Sequence, residues 1–160
     1  MDEYVRKKIE FEISQIDTLL SKAEVLAQKC KLQTPDFIEL SAAGATLHSY
    51  YNGLENIFIL IGKHVDNMTF SSQRWHKELL DSMFSKTTNR EPILEESIHE
   101  QLLDYMSFRH VFRHSYGYAL DWNRLKPLFS ALNENWKNVK SDIIKFTGQP
   151  LESPPPTARR

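Results

Sequence analysis

VRKKIEFEISQIDTLLSKAEVLAQKC, residues 5–30, reads as one long helix. Its apolar side chains Val5, Ile9, Ile13, Ile16, Leu20, Ala23, Ala27 and Cys30 step by four and three, the spacing that aligns one face of a helix. The stripe runs for about eight turns. Only 5 glycines occur in the chain, no hairpin signal appears, and helical periodicity returns almost everywhere.

Working outward, Thr34-Pro35-Asp36 interrupts the pattern. Thr34 can cap a helix, and proline is tolerated in a first turn. A second stripe follows at Phe37, Leu40, Gly44, Leu47, Tyr51, Leu54, Phe58 and Ile61, and glycine in such a stripe predicts close approach of another helix at Gly44. Asp66 to Ser72 is a polar loop. Trp75, Leu79, Leu80 and Met83 mark a short helix, and Ser85 to Glu91 a second loop. Pro92 fits the first turn of the next helix. That helix carries Ile98, Leu102 and Tyr105, and the same spacing continues onto Arg109, Phe112 and Tyr116. The last carries Trp122, Leu125, Phe129, Leu132, Trp136, Val139, Ile143 and Phe146, with Pro127 in or near its first turn and Gly148-Gln149-Pro150 at its end. The expectation is an all-α antiparallel bundle of four long helices and one short one, occupying residues 1–148. Residues 149–160, with Pro154-Pro155-Pro156 and Arg159-Arg160, are expected to be a disordered tail.

A length of 160 residues and a hydrophobic fraction of 41% suit one domain with one core. A formal net charge of -1 excludes a broad positive field for nucleic acid, so any RNA contact must be local. The single cysteine, Cys30, builds no disulfide framework and fits a reducing cytoplasm; it reads as a small buried hydrophobe. The charged start MDEYVRKKIEFE is not a signal peptide, and the most apolar run, Ile57 to Ile61, is too short to span a membrane.

Chemistry concentrates at Arg109-His110-Val111-Phe112-Arg113-His114-Ser115-Tyr116. Arginine binds phosphate with a fixed fork of donors, and histidine moves protons near neutral pH. Arg109 also occupies a stripe position that asks for an apolar residue, so it needs a partner or a ligand. On an ideal helix Arg109 and His114 point about 140° apart. To meet at one phosphate they require a bend or an end of the helix, for which Gly117 offers a break, or a cleft shared by two subunits. Three readings compete: a basic turn complementing the helix dipole, a metal held by His110 and His114 without a third ligand fixed by the sequence, and a metal-free ribonuclease. Elsewhere His48, His64 and His99 read as surface or cap residues, Trp75-His76 as a packed aromatic beside a polar residue, and Trp122 and Trp136 as core.

The run Phe108 to Tyr116 resembles the motif of HepT-type toxins: Arg, four residues, His, one residue, Tyr. These toxins belong to the HEPN superfamily of small helical ribonucleases. Tyr51-Asn52-Gly53-Leu54-Glu55-Asn56-Ile57-Phe58, Arg74-Trp75-His76-Lys77-Glu78-Leu79-Leu80, and Tyr116-Gly117-Tyr118-Ala119-Leu120-Asp121-Trp122 with Pro127-Leu128 are similar to other stretches of that family. The resemblance covers roughly residues 5 to 146. It implies a cytoplasmic toxin acting as a homodimer, cutting RNA through the 2′-OH without a metal or other cofactor, and paired with a minimal nucleotidyltransferase antitoxin. It assigns His114 as general base or acid and Arg109 as the phosphate-binding group. His110 and Arg113 are supporting residues, and Tyr116 is the acceptor of AMP. His110 departs from the many such motifs that carry another polar residue, such as Asn, and so shares the proton-transfer assignment. The alternative is a non-catalytic helical subunit that binds a nucleotide or a nucleotidyltransferase.

Overall fold

The computed structural model describes residues 1–148, and the expected tail at 149–160 lies outside the described residues. Five α-helices follow in order: α1 (Glu3–Leu32), α2 (Phe37–His64), α3 (Trp75–Met83), α4 (His99–His114) and α5 (Trp122–Thr147), with 3-10 turns at Glu96–Ile98 and Gly117–Ala119. Among the described residues there is no strand. The expected all-α bundle of four long helices and one short one is what forms.

Local chemistry sets the ends. Asp36, not Thr34, caps α2: its carboxylate accepts from Glu39 N at 2.8 Å while the Glu39 side chain accepts from Asp36 N at 3.3 Å, a reciprocal capping box. Gly148 closes α5 in the left-handed region at φ 69°, where a side chain would be strained. Pro127 falls in the second turn of α5, near the first. The N–H it lacks would have met the carbonyl of Asn123, an exposed residue whose oxygen water can satisfy.

Cross-helix pairs give the topology. Glu12 meets Asn56 and Lys29 meets Glu39, so numbering falls along α2 as it rises along α1. Gly53 lets the two helices close: a Cβ there would sit 2.8 Å from Ile16 Cγ1. Asp17 accepts from Trp136 Nε1 at 2.8 Å and from Lys140 at 2.7 Å, which fastens α5 onto α1. The core runs through the middle of α2, where Leu47, Tyr50, Tyr51, Leu54, Ile57 and Ile61 are completely buried. Tyr50 donates to Asn135 at 2.6 Å and Tyr105 donates to the Leu128 carbonyl at 2.7 Å, so these two of the three buried phenols are satisfied. Trp136 is core, as the stripe predicts, whereas Trp122 is half-buried against Phe129. Cys30 is half-buried, and burial ahead of the nearby Glu39 pushes its thiol up.

Two expectations need correction. Pro92 does not start a helix. Ile93 N and Leu94 N both donate to the Met83 carbonyl, at 2.9 and 3.1 Å, folding those two apolar side chains under the end of α3; helix α4 begins only at His99. The stripe also stops early. Ser115 is extended (φ -115°, ψ 149°), so α4 ends at His114 and Tyr116 stands outside it, 75% exposed. The break is made at Ser115, ahead of Gly117.

The two polar loops are pinned to each other. Arg90 and Asp66, each with a side chain only 4% exposed, pair at 2.7 Å, and Arg90 also donates to the Ser82 carbonyl at 3.0 Å. No helix among the described residues is long and apolar enough to cross a membrane.

Candidate functional site

Helices α2 and α4 run antiparallel, and at Gly44 side chains from α4 and the segment after it pack close onto α2: a Cβ there would sit 3.0 Å from Phe112 and from Leu120. That contact, expected from Gly44 alone, fixes the face that α4 turns toward α2. Phe112 packs there against His48, ring centroids 5.1 Å apart. Arg109, one turn earlier, is carried to the same face.

Arg109 finds the partner its position requires. Its Nε donates to Asn52 Oδ1, and its Nη2 lies 3.2 Å from Glu55 Oε1. The Glu55 side chain is 6% exposed and that of Arg109 13%. The other carboxylate oxygen of Glu55 meets His76 Nδ1 at 2.6 Å, and His76 stacks on Trp75 with centroids 3.6 Å apart. Asn52 Nδ2 in turn lies 3.3 Å from His48 Nδ1. A polar chain therefore runs His48–Asn52–Arg109–Glu55–His76 across α2, α3 and α4. Arg109 Nη1 makes no hydrogen bond among the described residues and remains able to take an oxyanion.

The electrostatics follow from this arrangement. Burial, with the charges of Arg109 and Arg113, pushes the His48 imidazole down. Burial and the Glu55 carboxylate push the Tyr51 phenol up, and Arg109 partly opposes them. The Tyr51 hydroxyl is buried without a hydrogen-bond partner.

The other sequence candidates lie on the outside. His110, Arg113 and His114 are exposed in the last turn and a half of α4. His110 and His114 are side by side, ring centroids 4.8 Å apart, and among the described residues no third metal-ligating side chain joins them. Tyr116 stacks on Tyr118, at 5.5 Å between centroids and 9° between planes. Because α4 stays regular through His114, the divergence of about 140° between Arg109 and His114 stands. Within one chain no hydrogen bond or ring contact among the described residues joins Arg109 to His114. Arg109 turns inward to α2, and His114 faces outward.

Sequence reading missed Glu55, Asn52 and His76 as parts of this site, and it placed His48 on the surface or at a cap where the structure half-buries it. The signal was present: His48, Asn52 and Glu55 step by four and three beside the apolar stripe of α2. An arginine in the stripe of one helix needs a partner or a ligand, and an acid beside the stripe of another helix can supply it. His99 opens α4 with Asp81 at 2.8 Å from its Nε2, and His64 is an exposed last-turn residue of α2.

A family model described as HepT-like protein matches residues 42–149, a span holding every residue of the polar chain and of the exposed cluster. No curated protein and no solved structure matches the chain.

Proposed function

This chain belongs to the HepT-like family, within the HEPN superfamily, and we propose that it is a metal-independent endoribonuclease toxin of a toxin–antitoxin pair, acting in the cytoplasm. The observation that carries the reading is Arg109: a half-buried guanidinium oriented by Glu55 and Asn52, with one edge uncommitted, on the same helix as the exposed His114. Since one chain keeps the two apart, the reading requires a homodimer in which a second α4 brings its His114 toward the free edge of Arg109. There Arg109 neutralises charge developing on the scissile phosphate. His114 takes the proton from the 2′-OH or returns one to the leaving 5′-oxygen. His110, in contact with His114, shares the proton, and Arg113 adds a second cation for the RNA backbone. The products are a 2′,3′-cyclic phosphate end and a 5′-hydroxyl end.

The test is cleavage of single-stranded RNA by the purified dimer in excess EDTA. Cleavage with cyclic-phosphate ends is expected, and intact RNA would sink the proposal. The rival reading is a non-catalytic subunit that binds a nucleotide or a nucleotidyltransferase. It draws support from the ion pair with Glu55, which already satisfies much of the Arg109 charge, and it predicts intact RNA in that assay.

Neutralisation by a nucleotidyltransferase antitoxin is a separate part of the proposal. Tyr116 is open to an incoming enzyme, at 75% exposure two residues beyond His114. Transfer of AMP joins the Tyr116 phenolic oxygen to the α-phosphorus of ATP and releases pyrophosphate. The added phosphate places negative charge where RNA phosphate would lie. Incubation with the partner enzyme and ATP is expected to add AMP mass to the wild type and none to Tyr116→Phe; equal labelling of both would remove Tyr116 as the acceptor.

A further inference from the structure

We propose that Tyr118, stacked with Tyr116, is a platform for a nucleobase of single-stranded RNA; the inference rests on the ribonuclease reading and names how that site would hold its substrate. Tyr116 and Tyr118 are 75% and 76% exposed, nearly parallel, at the end of the helix that carries Arg109, Arg113 and His114. Two large aromatic rings left in water on one short turn are unusual unless a surface covers them.

The turn that carries them is anchored. Ala119 N donates to the Tyr116 carbonyl at 2.9 Å and Leu120 N to the Gly117 carbonyl at 3.3 Å. Leu120 then packs into the space that Gly44 leaves open on α2. The turn is thus held in place before any ligand arrives, so little backbone order has to be gained on binding.

Charge selects the occupant. Between Asp104 and Asp121 the chain has two arginines (Arg109 paired with Glu55, Arg113 exposed), two histidines and no carboxylate, although acids outnumber Lys and Arg over the whole sequence, 21 to 20. Flat π faces beside local cations match an unpaired nucleotide, whose base stacks while its phosphate meets arginine. Duplex RNA keeps its bases stacked on one another and offers no such face, so the substrate is single-stranded.

The probe is a fluorescein-labelled 2′-O-methyl RNA octamer, which lacks the attacking hydroxyl, together with an abasic octamer of the same length. Fluorescence anisotropy at fixed salt reads the affinity. Tyr118→Ala is expected to weaken binding of the octamer by at least about tenfold, and Tyr118→Trp to stay within about twofold of wild type. The abasic octamer should bind wild type and Tyr118→Ala alike. Wild-type affinity in Tyr118→Ala, an equal loss on the abasic octamer, or no binding of the octamer by wild type overturns the platform. So does loss of nucleotidyltransferase capture by Tyr118→Ala with octamer affinity unchanged, which would assign the rings to a protein partner. The two readings fail separately. Wild type that binds the octamer in a Tyr118-dependent way yet cuts no RNA keeps the platform and removes the nuclease. Wild type that cuts RNA with the same KM as Tyr118→Ala does the reverse.

Discussion

His114→Ala should lower RNA cleavage by about a thousandfold, the size expected when one proton-transfer group is removed. The side chain is exposed at the end of α4 and makes no hydrogen bond among the described residues, so its loss should leave helical content and melting temperature unchanged. A loss of activity at constant stability would therefore be chemical in origin. Arg109 needs a different substitution. Arg109→Ala would also strand Glu55, and a fall in rate would mix catalysis with folding. Arg109→Lys keeps a cation beside Glu55 but loses the planar fork, and should still cost roughly a hundredfold. Because the proposal joins Arg109 of one subunit to His114 of the other, mixing the two inactive variants should restore part of the activity. Such a mixed dimer keeps one intact arginine–histidine pairing. A His114→Ala protein that degrades RNA at the wild-type rate removes the catalytic assignment. An inactive mixture removes the shared cleft and the nuclease reading with it, since one chain keeps the two side chains apart.

The sequence carried the helices because their stripes are long and their interruptions chemical. Periodicity over residues 5–30 leaves no rival to α1, and Gly44 announced the close approach of another helix without saying that it would be α4. It failed at the margins, where contacts between distant segments decide. Nothing local to Pro92 says that Ile93 and Leu94 will turn back onto the Met83 carbonyl. The Arg90–Asp66 pair joins two stretches that each read as plain polar loop. At the site, spacing marked Arg109 as anomalous, since a guanidinium in an apolar stripe must be answered. It did not say by what, because Glu55 is distant in the chain and meets Arg109 on one side and His76 on the other only after three helices pack. The position of Tyr116 was misread for a simpler reason: extrapolating a period assumes the helix continues, and an extended Ser115 ends it.

Glu55→Ala should be the most destabilising single change at the site. Glu55 is 4% exposed and uses both carboxylate oxygens, one on Arg109 and one on His76. As a pair in place, the interaction is worth little net, since the attraction is offset by the cost of taking two charges out of water. Removing one partner is another matter: the guanidinium stays buried with its counter-charge gone, which costs about 3 to 5 kcal/mol. The lower end applies here, because the Arg109 side chain is 13% exposed and that of His76 35%, so water can reach both. About 3 kcal/mol corresponds to a fall in melting temperature of roughly 6 to 12 °C for a chain of this size. Glu55→Gln keeps an acceptor for Arg109 without the charge and should lose less. The double variant Glu55→Ala/Arg109→Met should recover part of the loss, because an apolar side chain there needs no counter-ion. Urea unfolding of wild type, both single variants and the double variant at one protein concentration measures this directly, with the concentration held fixed because dimerisation would add to apparent stability. If Glu55→Ala unfolds within about 1 kcal/mol of wild type, the ion pair is solvated in solution and Glu55 does not hold Arg109. A double variant no more stable than the sum of its parts would mean that the two side chains act independently, and the orientation of the arginine would then have to come from Asn52 alone.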